Sequence, residues 1–329
     1  MGKKITVQDL TLVGDVGGTN CRLALAHRTV SGEIVLNHVE RFPVKEFDHF
    51  NDVVATYLKT LEVKPTQGAF AFAGPKFDTE IRMTNANWIV SEDELRRLFN
   101  LDSAIVLNDF VAMASGATVI PDDGFDVLID GKIDYSKAVA VLGPGTGLGL
   151  SCIRPGKPVH IFPTEGGHSA FAPMDDLERE VLIYWSKRLP FVSAETLISG
   201  PGLARLFEAI CAVHGETHNP LMPEDIVAAA HENSNSLARK TVTQFCSMLG
   251  GFSGNAALTL GASGGVVIGG GVSKHIAPFI ADSDFVSRFK DRGSGSWYVQ
   301  DIAVRLIQAN FVPLYGAAAM ILNLSLIHI

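Results

Sequence analysis

Two glycine-rich segments, each carrying a threonine, are the first places in the chain where residue type and spacing suggest chemistry. They are Gly14-Asp15-Val16-Gly17-Gly18-Thr19-Asn20 and Gly143-Pro144-Gly145-Thr146-Gly147. Residues without a Cβ let backbone N–H groups converge on an anion, and threonine and asparagine side chains add donors, so either segment can cradle phosphate. Two such cradles facing each other are what a polyphosphate nucleotide requires. Asp15 would then face a metal ion. Both segments lie between two strand-like runs. The Walker loop and the dinucleotide fingerprint each lead from a strand into a helix, so those two families drop out. For the first segment alone, a tight hairpin turn without ligand is the competing reading. A third turn, Gly269-Gly270-Gly271, offers room for an adenine ring. Asn108-Asp109 closes an apolar run, and strand ends are where sites of α/β proteins sit.

The elements that must hold these groups can be read from periodicity. Strands are predicted at 10–15, 21–27 and 33–42, broken by Gly17-Gly18 and Ser31-Gly32. Phe50, Val53, Val54, Tyr57, Leu58 and Leu61 share one helical stripe, and 68–73 returns as an apolar strand. Ser91 with Glu94 predicts a capping box for a helix ending near 99, followed by a strand at 104–107. A strand at 138–142, the loop 143–147 and a strand at 148–153 echo the start of the chain, a weak internal repeat that predicts two similar α/β domains. Helices are expected at 175–187, 202–214, 223–232 and 236–260, then strands at 265–268 and 302–307 and a helix from 313. No stretch has the composition of a flexible linker, so the two domains are expected to share a cleft and a hinge.

Composition narrows the classes. Hydrophobic residues make up 47% and charged residues 19%, with 32 Gly and 15 Pro, the profile of a loop-rich globular enzyme. The formal net charge of −8 disfavours nucleic acid and anionic membrane surfaces as partners. Cys21, Cys152, Cys211 and Cys246 are scattered, which argues against a disulfide framework or a zinc knuckle and for a reducing cytoplasm. The N-terminal MGKKITVQDL lacks the apolar core of a secretory signal, and no run of about 18 apolar residues occurs. The last six residues, 324–329, read either as a translated sequencing-adapter end or as the hydrophobic end of a helix.

Seven segments, in order along the chain, resemble the bacterial-type glucokinase family within the hexokinase, actin and heat-shock ATPase class. They are LVGDVGGTNCRLAL (12–25), AGPKFDTEIRMTNANW (73–88), IVLNDFVAMA (105–114), GPGTGLG (143–149), PTEGGHSAFAP (163–173), SAETLISGPGL (193–203) and GGVVIGGGV (264–272). The resemblance implies an α/β fold of two actin-like, ribonuclease H-like domains around a central cleft. It places the small domain at 1–119 plus 309–329 and the large one at 120–308.

It further implies ATP-dependent phosphorylation of the 6-hydroxyl of D-glucose, with Asp109 as catalytic base. Asp109 as a helix N-cap is the competing role. The implied sugar ligands are Asn108, Asp109, Glu165, His168 and Glu195, with Gly74, Thr84 and Asn85 lining the pocket. His168 as a core histidine and Glu195 as a capping glutamate after Ser193 remain open. Gly17, Gly18, Thr19 and Asn20 would hold one set of phosphates, Gly143, Gly145, Thr146 and Gly147 the other, and Gly269 and Gly270 the adenine. Mg²⁺ is expected, reached by Asp15 through water. Pro144 removes one N–H from the second loop. The clustered cysteines of the zinc-binding sugar-kinase relatives are missing, which disfavours zinc. The expected partners are glucose, ATP and a second copy of the chain. Kinases of another hexose or amino-sugar, an actin-like nucleotide switch and a sugar-responsive regulator are the alternatives. A regulator calls for a basic helix-turn-helix that does not precede Leu12, and a switch has no use for Glu165, His168 and Glu195.

Overall fold

The computed structural model describes residues 10–83, 86–156, 159–217, 219–234, 236–322 and 327–328. The chain divides into two compact units: Met1–Gly124 with Pro155–Pro163 and Ala309–Ile329, and Phe125–Arg154 with Thr164–Gln308. The N-terminal residues 1–9, and Thr84 and Asn85 of the expected sugar pocket, lie outside the described residues.

In the first unit, β1 (Thr11–Val16), β2 (Asn20–Arg28), β3 (Ile34–Pro43), β4 (Gln67–Phe72) and β8 (Ser103–Asn108) form one sheet in the order β3-β2-β1-β4-β8. The β1–β2 hairpin is antiparallel, while β1–β4 and β4–β8 are parallel. Apart from Asp15 and Gln67, every residue of β1 and β4 is buried, which is why they read as nearly continuous apolar runs. Helix α1 (Phe50–Lys59) lays its Phe50, Val53, Val54 and Tyr57 stripe on one face. Phe50 meets Phe70 and Phe72 edge-on at 5.2 and 4.9 Å, contacts worth about 1 kcal/mol each beyond the buried area.

A three-stranded sheet, β5 (Lys76–Phe77), β6 (Glu80–Arg82) and β7 (Ile89–Ser91), follows β4. Strands of two or three residues show no alternation, and sequence reading did not anticipate them. Helix α2 (Glu92–Phe99) begins after Ser91, but the expected capping box is absent because the Ser91 side chain makes no cap bond. Ser91 is instead the last ladder residue of β7, opposite Glu80, and the Glu92 N–H donates to the Thr79 carbonyl. Helix α3 (Asp109–Ala117) starts directly where β8 ends, and α12 (Val312–Leu322) packs on it and on β1 and β4. In this unit Val159 and His160 of β12 (Val159–Thr164) pair in parallel with β15 (Ile327–His328). Ile327 and His328 are therefore strand and not part of a helical end.

In the second unit, β9 (Phe125–Ile129), β10 (Val139–Pro144), β11 (Leu148–Arg154), β13 (Gly265–Ile268) and β14 (Val304–Ile307) run in the order β11-β10-β13-β14-β9. The β10–β11 hairpin is antiparallel, and β10–β13 and β13–β14 are parallel. The four-strand arrangement β2-β1-β4-β8 of the first unit thus recurs as β11-β10-β13-β14, which gives the sequence echo its structural content. Helices α4 (Asp176–Ser186), α5 (Ala194–Leu197), α6 (Gly200–Val213), α7 (Pro223–Glu232) and α8 (Leu237–Leu260) build most of the core with this sheet. Three short helices complete the unit: α9 (Gly271–Ile276), α10 (Phe285–Lys290) and α11 (Ser296–Val299). Helix α8 is started by the Ser236 hydroxyl accepting from the Arg239 N–H and stopped at Gly261, at φ 62°.

Candidate active site

In the first hairpin, Asp15 on β1 stands opposite Arg22 on β2. Its Oδ2 accepts from Arg22 Nη1 at 3.1 Å, and only 15% of the Asp15 side chain is exposed. Burial pushes the Asp15 carboxyl above its ordinary value, and the Arg22 charge and hydrogen bond pull part of that back. The loop closes on itself, since the Gly17 N–H donates to the Asn20 carbonyl at 2.9 Å. The Gly17 N–H is therefore engaged within the loop. Asn20 Oδ1 accepts from Arg41 Nε at 2.7 Å, which turns its amide nitrogen toward other partners as a donor. Arg22 was missed by sequence reading: counting across a three-residue loop at 17–19 sets Asp15 opposite Cys21, and only the observed register, with Val16 opposite Cys21, sets it opposite Arg22.

Mg²⁺ fits the Asp15 hairpin on its donor chemistry. The ion usually keeps several waters and takes one or two carboxylates plus phosphate oxygens. The Asp15 carboxylate, with Oδ2 accepting from Arg22, supplies one such donor group. Among the described residues no cluster of three or more His, Cys, Asp or Glu side chains is arranged for a metal.

Asn108 ends β8 and is the N-cap of α3: its Oδ1 accepts from Phe110 N–H at 2.9 Å and Val111 N–H at 3.3 Å. The cap is thus Asn108, and Asp109 occupies the first helical position. There its Oδ1 accepts from the Phe110 N–H at 2.9 Å. Asn108 Nδ2 donates to the Gly74 carbonyl at 3.2 Å, so Gly74, Asn108 and Asp109 are held as one group.

In the second unit, the loop Gly145–Gly147 joins β10 to β11, and Gly145 N–H donates to the Gly147 carbonyl at 2.8 Å. Pro144 stands in the ladder opposite Leu148. The turn after β13 lies against this hairpin, because a Cβ on Gly143 would meet the Gly269 carbonyl oxygen at 1.9 Å. Gly270, at φ 89°, precedes α9. The hairpin residues Gly143, Gly145, Thr146 and Gly147 and the turn residues Gly269 and Gly270 are therefore brought together.

Glu165 and His168 flank the 3-10 turn Gly166–His168, which packs on β11 and α5. His168 Nε2 is 3.7 Å from Glu165 Oε2, and His168 Nδ1 is 3.7 Å from Glu195 Oε1. These spans are too long for direct hydrogen bonds and short enough for one hydroxyl to bridge. The side chains are 74%, 60% and 31% exposed for Glu165, His168 and Glu195, so His168 is not a core histidine. Glu195 is not the capping residue either. Ser193 forms its capping box with Thr196, and Glu195 Oε2 accepts from the Leu148 N–H at 2.8 Å. Among the described residues no helix is long and apolar enough to cross a membrane, and the four cysteines are free and buried.

The family profile described as Glucokinase matches residues 12–324. A Saccharophagus degradans protein named Glucokinase is 39% identical over 310 residues, covering 94% of this chain and 97% of its own. The crystal structure of a glucokinase from an Antarctic psychrotroph superposes with a TM-score of 0.86 at 36% identity, covering 96% of this chain and 99% of that one. A Streptomyces griseus glucokinase of the ROK family, solved with glucose and AMPPNP, shares the fold at a TM-score of 0.65 and 18% identity, covering 94% of this chain and 98% of that one.

Proposed function

The chain belongs to the glucokinase family and is a kinase, and from that premise we propose that it transfers the γ-phosphoryl group of ATP to the 6-hydroxyl of D-glucose. The observation that carries this reading is the Glu165-His168-Glu195 group, exposed and bonded through Glu195 to the hairpin proposed to hold nucleotide. A hexose taken from water needs each hydroxyl paired, and carboxylates with an imidazole supply directional acceptors and a donor.

In this reading Asp109 accepts the proton of the 6-hydroxyl while that oxygen forms its bond to the γ-phosphorus and the bond to the β-phosphate oxygen breaks, releasing ADP. Asn108 keeps Asp109 at the helix start and offers its second amide hydrogen to the sugar. Gly18, Thr19 and Asn20, and Thr146 with its neighbours, hold phosphates. Mg²⁺, held through water by Asp15, would neutralise charge on the β- and γ-phosphates. Most of the acceleration then comes from positioning. The same reading makes the enzyme a cytoplasmic homodimer, supported by its unpaired thiols and by the resemblance. Light scattering would return about twice the 35.3 kDa chain mass.

The test is ATP-dependent phosphorylation of glucose beside mannose, fructose, galactose, glucosamine and N-acetylmannosamine. Glucose turnover that falls by about 10²–10⁴-fold in Asp109→Asn is the expected result. Turnover of another sugar alone would change the substrate and keep the mechanism. ATP binding without any sugar turnover would sink the kinase assignment.

A further inference from the structure

The hairpin Gly145–Gly147 holds two glycines whose surroundings differ. A Cβ on Gly145 would have nothing within 4 Å, whereas one on Gly147 would sit 2.5 Å from Glu195 Oε2 and 3.2 Å from its Cδ. The adjacent amide, Leu148 N–H, donates to that same Oε2 at 2.8 Å. The missing side chain at 147 is therefore the space in which the Glu195 carboxylate lies. From that position Glu195 turns its other oxygen, Oε1, to His168 Nδ1.

The backbone carrying Glu195 is pinned independently. Ser193 and Thr196 close a capping box around it, Ser199 Oγ donates to the Glu195 carbonyl at 2.8 Å, and the Gly200 N–H donates to the Gly145 carbonyl at 2.7 Å. With the start of α6 tied to the hairpin through Gly200 and to α5 through Ser199, a methyl group at 147 can be accommodated only by swinging the flexible end of Glu195 away. That movement breaks the Leu148 bond and withdraws Oε1 from His168, while leaving the backbone where it is.

We propose that Gly147 is a positioning residue for the sugar: it holds the Glu195 carboxylate in its sugar-facing orientation, so that one residue of the nucleotide hairpin sets glucose affinity before any nucleotide binds. This rests on the reading of Glu195 as a sugar ligand. It also gives the second hairpin a task that phosphate binding alone does not require.

The experiment is calorimetric glucose binding without nucleotide to wild type, Gly147→Ala, Gly145→Ala, Glu195→Ala and the Gly147→Ala/Glu195→Ala double variant, each with its melting midpoint. The expected result is a loss of glucose affinity of about tenfold in Gly147→Ala. No loss is expected in Gly145→Ala, and no further loss when the Gly147 change is added to Glu195→Ala. Equal losses in the two glycine variants, an additive double variant, or wild-type affinity in Gly147→Ala while Glu195→Ala is weakened, would each overturn the inference alone. So would a melting midpoint for Gly147→Ala well below that of Gly145→Ala, since the clash would then lie in the fold. Wild-type affinity in Glu195→Ala would overturn the ligand reading and the inference with it.

Discussion

In the first hairpin the row two residues before the loop joins Asp15 on β1 to Arg22 on β2, and in the second the corresponding row joins Gly143 on β10 to Gly149 on β11. Four residues separate the last ladder pair of the first hairpin, Val16–Cys21, and three that of the second, Pro144–Leu148, yet both hairpins sit at the head of the same four-strand arrangement and both loops close with a hydrogen bond from their first glycine. One row is an ion pair and the other carries no side chains. The neighbouring strand explains the difference. Beside Asp15, β4 presents Ala71, which leaves room for a carboxylate and a guanidinium. Beside Gly143 the Gly269 carbonyl approaches so closely that even a Cβ would collide. Equivalent topology thus supports a charge-bearing turn at one place, suited to a hydrated cation, and a turn stripped to backbone at the other, where the Gly269-Gly270 segment and Glu195 can come in.

Neutralising the charged row is expected to act on catalysis with little cost to folding. Asp15→Asn should lower kcat by about 10²–10³-fold and weaken the dependence on Mg²⁺. Its melting midpoint should stay near wild type, because a buried carboxylate is itself costly. Steady-state kinetics against Mg²⁺ beside a thermal melt checks both, and a large fall in stability with activity kept would erase the contrast between the hairpins. The opposite pattern is expected in the second hairpin. Gly143→Ala drives a methyl into the Gly269 carbonyl and should cost about 3 kcal/mol, read by denaturant unfolding.

A pH profile sharpens the comparison further. Burial raises the Asp15 carboxyl and Arg22 lowers it, so removing that charge in Arg22→Met should move the acid limb of kcat/KM for ATP to higher pH. An unmoved limb would mean that Asp15 does not govern it. For stability the sign is reversed from that of an ordinary ion-paired carboxylate. Protonated Asp15 favours the fold below the ordinary carboxylate value, and that contribution is lost as pH rises through the raised one. The smallest effect is expected from Arg41→Ala, which frees Asn20 Oδ1 at an exposed position. ATP KM should change by no more than about threefold, the scale of an exposed pair.

Much of this was legible in the chain. The strands flanking both Gly-Thr loops, the Phe50-to-Tyr57 stripe and the long helix opened by Ser236 all follow from period and capping chemistry. Local rules were least reliable where a residue serves two elements at once. Ser91 looks like a cap by its spacing from Glu94, yet it closes β7. Asn108 looks like the polar end of a strand, yet it caps α3 and leaves Asp109 at the helix start. The small strands β5–β7 are shorter than any period that could reveal them.

Residue types and order alone were enough to determine that two hairpins of like construction exist, that one carries a carboxylate, and that Asp109, Glu165, His168 and Glu195 belong to the motifs of a sugar kinase. Tertiary structure decided what each group touches. The Arg22 partner of Asp15 is set by hairpin register. The Leu148 partner of Glu195 lies 47 residues away, and the closeness of Gly269 to Gly143 joins two separate turns. Such contacts depend on how β10, β13 and α5 pack against one another. Since hydrophobic burial sets that packing without regard to chain distance, no local pattern around Gly147 announces that its missing side chain makes room for a carboxylate.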